Sequence, residues 1–117
     1  MTIDHKVLKA RHIEFPEYHQ VYHLGQLGNF IDYDTRNMEA DARFRLECLQ
    51  KELDQHGMLH PIIISYNAYE VSVGHQRVWY AKSRGYTHID CYHIPDQAAW
   101  EKVFNYTQSV SYTHLRA

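Results

Sequence analysis

The residues best suited to chemistry are Gly74-His75-Gln76-Arg77, where the alternating run Val71-Ser72-Val73 stops and a helical pattern starts. A helix N-terminus leaves its first backbone N–H groups unpaired and carries a partial positive charge, which together favour an anion. Glycine lets the backbone come close to a phosphate. An arginine one turn inside supplies a planar fork for two phosphate oxygens. The order of types suits a phosphate, from a nucleotide or from a nucleic-acid backbone. The plain alternative is a strand break with Arg77 salt-bridged at the surface. His75 stands at the turn, and its protonation would make anion binding stronger at pH 6 than at pH 8.

The elements that must position this turn are readable from spacing. Ala42, Leu46, Leu49 and Leu53 recur at steps of four, three and four, which predicts a helix capped at Thr35 or Asn37 and ending near His56. Gly57 follows where a helix end favours a left-handed residue. Pro61-Ile62-Ile63-Ile64 opens a β-branched strand over 61–66. Asn67-Ala68 turns it into a strand over 69–73 with Val71 and Val73 on one face. A helix over 75–84 is closed by Gly85, a strand over 89–94 is ended by Pro95, and Asp96 caps a helix through Phe104. In that helix Ala99, Val103 and Trp100 face inward. Near the N-terminus the pattern predicts a strand over 7–15 ended by Pro16, and a long loop over 17–37.

With 117 residues, 44% of them hydrophobic and 22% charged, the chain suits one folded domain. No apolar run approaches the roughly 18 residues of a membrane span, and no secretory h-region follows Met1. Cys48 and Cys91 are two isolated cysteines, which suits a reducing cytoplasm. A net charge of −2 argues against coating nucleic acid by bulk charge but leaves room for a local basic patch. His19/His23 and His56/His60 have an i, i+4 spacing without a third ligand, so no metal site is expected. Glu70 is the only acid close in sequence to the turn, too little for two-metal chemistry. Trp79, Tyr80 and Tyr86 could stack on a base, although aromatics on such a helix are more often core. Cys91 alternates inward with Ile89 as a small buried residue.

The order helix, G-x-L-x-P, apolar strand, turn, strand, G-H-x-R, helix ending in Gly-Tyr, and strand resembles the ParB/sulfiredoxin-like superfamily, whose domain is often labelled ParB-like nuclease. Gly57, Leu59 and Pro61 match its first box; Gly74, His75 and Arg77 match its second; Ala81, Lys82, Gly85 and Tyr86 match the tract that follows. The resemblance covers residues 38–94. It implies an α/β (α+β) fold, a small mixed β-sheet with packed helices. It also implies a nucleotide or phosphate site at Gly57, His60, Pro61, Gly74, His75, Gln76 and Arg77. CTP or another nucleotide with Mg is the implied cofactor, DNA the implied partner and a homodimer the implied assembly. An enzyme on the same fold is the alternative: an NTP hydrolase, a small-molecule kinase or a nuclease. The departures are specific. Partition proteins of the superfamily usually read G-E-R-R in the second box, and here His75 and Gln76 replace the glutamate and the first arginine. His60 replaces the usual glutamine of the first box, and the E-N-x-Q-R segment that completes a CTP site is absent, with Asn105 its remnant. Sulfiredoxins carry cysteine and histidine where His75 and Gln76 stand, which excludes sulfinic-acid reduction.

Residues 110–117, Val-Ser-Tyr-Thr-His-Leu-Arg-Ala, match the in-frame translation of a transposase adapter used in sequencing libraries. Native sequence is therefore expected to end near Gln108 and the gene product, of phage or mobile-element type, to continue past it. The expected organisation is an N-terminal strand and loop over 1–37, a core over 38–108, and a tail over 109–117 whose Tyr112 and Leu115 pack on nothing.

Overall fold

The computed structural model describes residues 6–28, 33–65 and 69–116, with side chains as far as Gln108. The elements are β1 (Val7–Leu8), β2 (His19–His23), α1 (Ala40–His56), β3 (Ile62–Ile64), β4 (Val71–Val73), α2 (His75–Ser83), β5 (His88–His93) and α3 (Gln97–Arg116). The sheet is mixed, and β5 is its hub. β2 runs antiparallel along it from His19↔Tyr92 to His23↔His88. β1 and β3 both run parallel to β5, at Val7↔His88 and at Ile62↔Cys91 respectively, and β4 pairs antiparallel with β3. The expected α/β architecture, a small mixed sheet with packed helices, is the one observed.

Two cores lie on opposite faces of that sheet. Ile62, Ile64, Ile89 and Cys91 face one side, where Leu53 of α1 and Val78, Tyr80 and Ala81 of α2 cover them. Ile63 and Tyr92 face the other, under Ala99 and Val103 of α3. The three consecutive isoleucines thus feed both layers by strand alternation. Burying each contributes roughly 1.5–3 kcal/mol, which is why β3 sits inside the sheet. Cys91 is buried as expected, and burial pushes its thiol up to about 12. No helix among the described residues is long and apolar enough to cross a membrane.

Several expectations need correction. The first strand is two residues long with one further bridge, Ala10↔Met58, and Pro16 opens a 3-10 turn rather than only ending a strand. The loop expected over 17–37 contains β2, whose polar residues are held by pairing with β5. Neither Thr35 nor Asn37 caps α1. They belong to a 3-10 turn capped by Asp34, and α1 starts from Glu39 without a side-chain cap. Val71 and Val73 do not share a face: Val71 packs in the first core and Val73 against the second. Ile63 pairs with Val73 and Ile64 with Val71, so a bulge around Ser72 inverts the alternation. Asp96 does cap α3, through Ala99 N–H (2.8 Å), but the helix continues twelve residues past Phe104, to Arg116. The side chains of Tyr112 and Leu115 lie outside the described residues. The turn at Asn67-Ala68 also lies outside them.

Asp54 ties α1 to the end of α2. Tyr80 Oη donates to it at 2.6 Å, and Arg84 donates from Nε (3.0 Å) and Nη2 (2.8 Å). The Arg84 guanidinium, then the Tyr80 hydroxyl, hold its carboxyl at about 2. The unfolded chain therefore binds the proton first, and the contact's stabilisation is complete above about pH 4, Asp's ordinary range, and lost as pH falls through about 2. Urea midpoints measured from pH 4 to pH 2 should fall with pH, and Asp54→Asn should flatten that slope. An unchanged slope in the variant would show that the acid sensitivity comes from elsewhere.

Candidate functional site

Gly74 caps α2 with φ +115°, and no side chain caps the helix. The first turn contains no acid, so its backbone donors face no built-in anion. The reason for glycine is packing as much as phosphate approach. A Cβ at this position would lie 2.4 Å from Ile62 Cγ2 and 2.8 Å from Ile62 Cβ. The tight seat of α2 on β3 therefore requires the bare backbone.

Arg77 links the two sequence boxes. Its Nη1 donates to the carbonyl of His60 at 2.6 Å, while Nη2 lies 3.1 Å from where a Gly74 Cβ would stand. The expected alternative, a salt-bridged surface arginine, is not what the structure holds. No carboxylate pairs with Arg77 among the described residues. Burial pulls the guanidinium down to about 10, which leaves it a cation at neutral pH. It is a half-buried charge whose hydrogen-bond partner among the described residues is one carbonyl.

Two hollows meet at this guanidinium. One, of about 340 Å³, is lined by Gly74, His75, Gln76, Arg77, Tyr33 and Leu49. The other, of about 240 Å³, brings Gly57, Leu59 and His60 against Arg77, Val73, Leu49 and Leu53, with Glu52 and His56 of α1, Arg11 of the segment after β1, and Thr107 and Gln108 from α3. Gln76 is exposed. His75 is half-buried, and its Nδ1 has no hydrogen-bond partner among the described residues. His60 is 3% exposed, its ring set edge-on to His12 and Tyr106, and it is its carbonyl that meets Arg77. Pro61 is fully buried and lines neither hollow.

The structure thus brings six of the seven expected residues to one place and leaves Pro61 behind it. Tyr80 is core, its hydroxyl taken by Asp54, and Trp79 packs against the same core. Tyr86 lies at the far end of α2. Sequence reading missed Leu49, Arg11, Glu52, Tyr33, Thr107 and Gln108. One signal was available: Ala99, Val103 and Thr107 continue at steps of four, which places Thr107 on the buried face of α3.

No protein-family model matches the chain, and no curated protein sequence matches it. Among solved structures the chain is similar to one described as the C2221 form of a Pnob8-like ParB-N domain. The TM-score is 0.47 and the identity 22%, over 76% of this chain and 36% of that one. The chain spans about a third of the length of that protein.

Proposed function

We propose that the start of α2 and the paired hollows at Arg77 bind the phosphates of a nucleotide or of DNA, in a domain belonging to a longer DNA-associated protein. The observation that supports this most is the half-buried guanidinium, cationic and with no carboxylate paired to it among the described residues, beside a helix start without a side-chain cap. Folding alone gives little reason to keep such a charge, because withdrawing an ion from water costs stability where no counter-charge is paired with it, and none is among the described residues. An arriving phosphate would supply the missing anion, held by α2 backbone N–H groups and the free edge of Arg77. The hollow beside it that carries Leu49, Leu53, Leu59 and Val73 has apolar surface on which a nucleoside could lie. A nucleotide such as CTP would bring Mg with its phosphates.

Gln76 gives the cleanest test, since it is exposed and its replacement leaves the core untouched. CTP, ATP and short duplex DNA are titrated calorimetrically into wild type, Gln76→Arg and Gln76→Glu, at pH 6 and pH 8. Gln76→Arg should tighten binding about ten- to a hundredfold, the value of one charge-assisted hydrogen bond of about 1.5–3 kcal/mol. Gln76→Glu should weaken it, because it sets a negative charge beside the bound phosphate. Absence of binding to all three ligands, or identical affinities in the two variants, would rule the site out. Release of nucleoside diphosphate or of cleaved DNA in the same samples would move the reading to the enzyme alternative.

A further inference from the structure

Leu49 and Arg77 line both hollows at the start of α2, but the two hollows offer a ligand different surfaces. The smaller continues over Leu53, Leu59 and Val73. The larger holds Tyr33 together with Gly74, His75 and Gln76. Tyr33 is half-buried, and its ring meets that of Trp79 in a T-shaped contact, with centroids 6.1 Å apart and planes at 80°. Such a contact fixes a ring and occupies at most one of its faces. An aromatic ring therefore stands in the hollow that also holds the helix start, where a base can stack on it.

Charge narrows the ligand further. Among the described residues lining the larger hollow, Arg77 is the permanent cation and there is no carboxylate. Gln76 brings amide N–H groups without charge. His75 Nδ1 is shielded from solvent and has no hydrogen-bond partner among the described residues. As an N–H it would donate to an oxygen lying in the hollow. A triphosphate carries several negative charges and comes with a Mg ion that carboxylates usually help to hold, and this lining matches neither. A phosphodiester carries one charge, which one guanidinium balances. It also joins two nucleosides, and two hollows share the guanidinium. Each hollow alone is at the small end of the roughly 300–1,000 Å³ of ligand sites.

Resting on the phosphate reading above, we propose that the site takes a phosphodiester joining two nucleosides, as in a single-stranded nucleic acid. Arg77 holds the phosphate, one nucleoside lies on Leu53, Leu59 and Val73, and the base of the other stacks on Tyr33. The test titrates the whole chain, followed by amide NMR of residues 74–77, with the deoxycytidine dinucleotide, deoxycytidine monophosphate and deoxycytidine triphosphate with Mg. The dinucleotide should bind at least about fivefold more tightly than the monophosphate, the lower end of what one stacked base contributes, and more tightly than the triphosphate. Tyr33→Ala should remove that advantage and leave the monophosphate's affinity unchanged, while Tyr33→Phe should retain it. A short oligodeoxycytidylate should bind at least as tightly as the dinucleotide, and more tightly than the same strand in a duplex, whose paired bases cannot reach Tyr33. A strand weaker than the dinucleotide would keep the diester and make a free dinucleotide its source. Equal affinities for dinucleotide and monophosphate, tighter binding of the triphosphate, a duplex as tight as the strand, or a Tyr33→Ala variant that keeps the preference would overturn the inference and leave a phosphate site standing. Failure of every ligand to bind would overturn both.

Discussion

Gly74→Ala should destabilise the fold by about 2–6 kcal/mol, while Gly85→Ala should cost only about 1 kcal/mol. Both glycines have positive φ, +115° and +78°, so both substitutions strain the backbone. They differ in what the new methyl meets. At Gly85 nothing lies within 4 Å, whereas at Gly74 the methyl falls 2.4 Å from a buried isoleucine side chain. Ile62 is fully buried in the centre of the first core and cannot move away cheaply. Against a total stability of about 5–15 kcal/mol, the Gly74 substitution takes a large share, and the melting temperature should drop by about 10 °C or more. Thermal and urea denaturation of the two variants measures it directly. Equal losses at the two glycines would mean that conformation alone, and not the seat of α2 on β3, makes Gly74 necessary.

The second large effect separates binding from stability. Arg77→Met should abolish phosphate binding, by about a hundredfold or more, yet leave the melting temperature within a few degrees of wild type. A base whose value is lowered by folding is one whose charged form the fold disfavours, and at neutral pH, below both values, that cost is present in full. A fall to about 10 corresponds to roughly 3 kcal/mol. The bond to the His60 carbonyl returns about 1.5–3 kcal/mol. The opposing terms nearly cancel, and methionine keeps most of the buried stem. Calorimetric binding beside differential scanning calorimetry reads both quantities on one sample. A variant that melts far below wild type would make Arg77 a structural residue, and the supporting observation for the phosphate site would go with it. A variant that is stable and unable to bind would mark a charge retained for function at some expense of stability.

How much of this was legible beforehand depends on whether the deciding interactions are local. The period of Leu46, Leu49 and Leu53, the left-handed glycines at 57 and 85, the isoleucine run of β3 and the strand-glycine-helix junction at Gly74 are all properties of contiguous residues. They follow from backbone geometry and side-chain period, and each is found where the residue types required it. The residues of β2, His-Gln-Val-Tyr-His, carry no such pattern. They form a strand because β5 offers its whole edge from about seventy residues away, and pairing overrides local preference.

The candidate site divides along the same line. Gly74, His75, Gln76 and Arg77 are one short segment, so their convergence at a helix start could be read from the chain alone. That the guanidinium reaches across to the His60 carbonyl, pairs with no carboxylate among the described residues, and shares its hollow with Thr107 and Gln108 depends on how β3, β4 and α3 stack. The bulge at Ser72 is the smallest of these decisions. A single extra residue opposite Ile63 and Ile64 sends Val71 to one core and Val73 to the other, toward the hollow beside Arg77. Residue types determined which chemistry could be done and at which turn. The packing of distant strands decided which charge would be set against a carbonyl and no carboxylate among the described residues, because burial and counter-charge are properties of neighbours in space and not of neighbours in sequence.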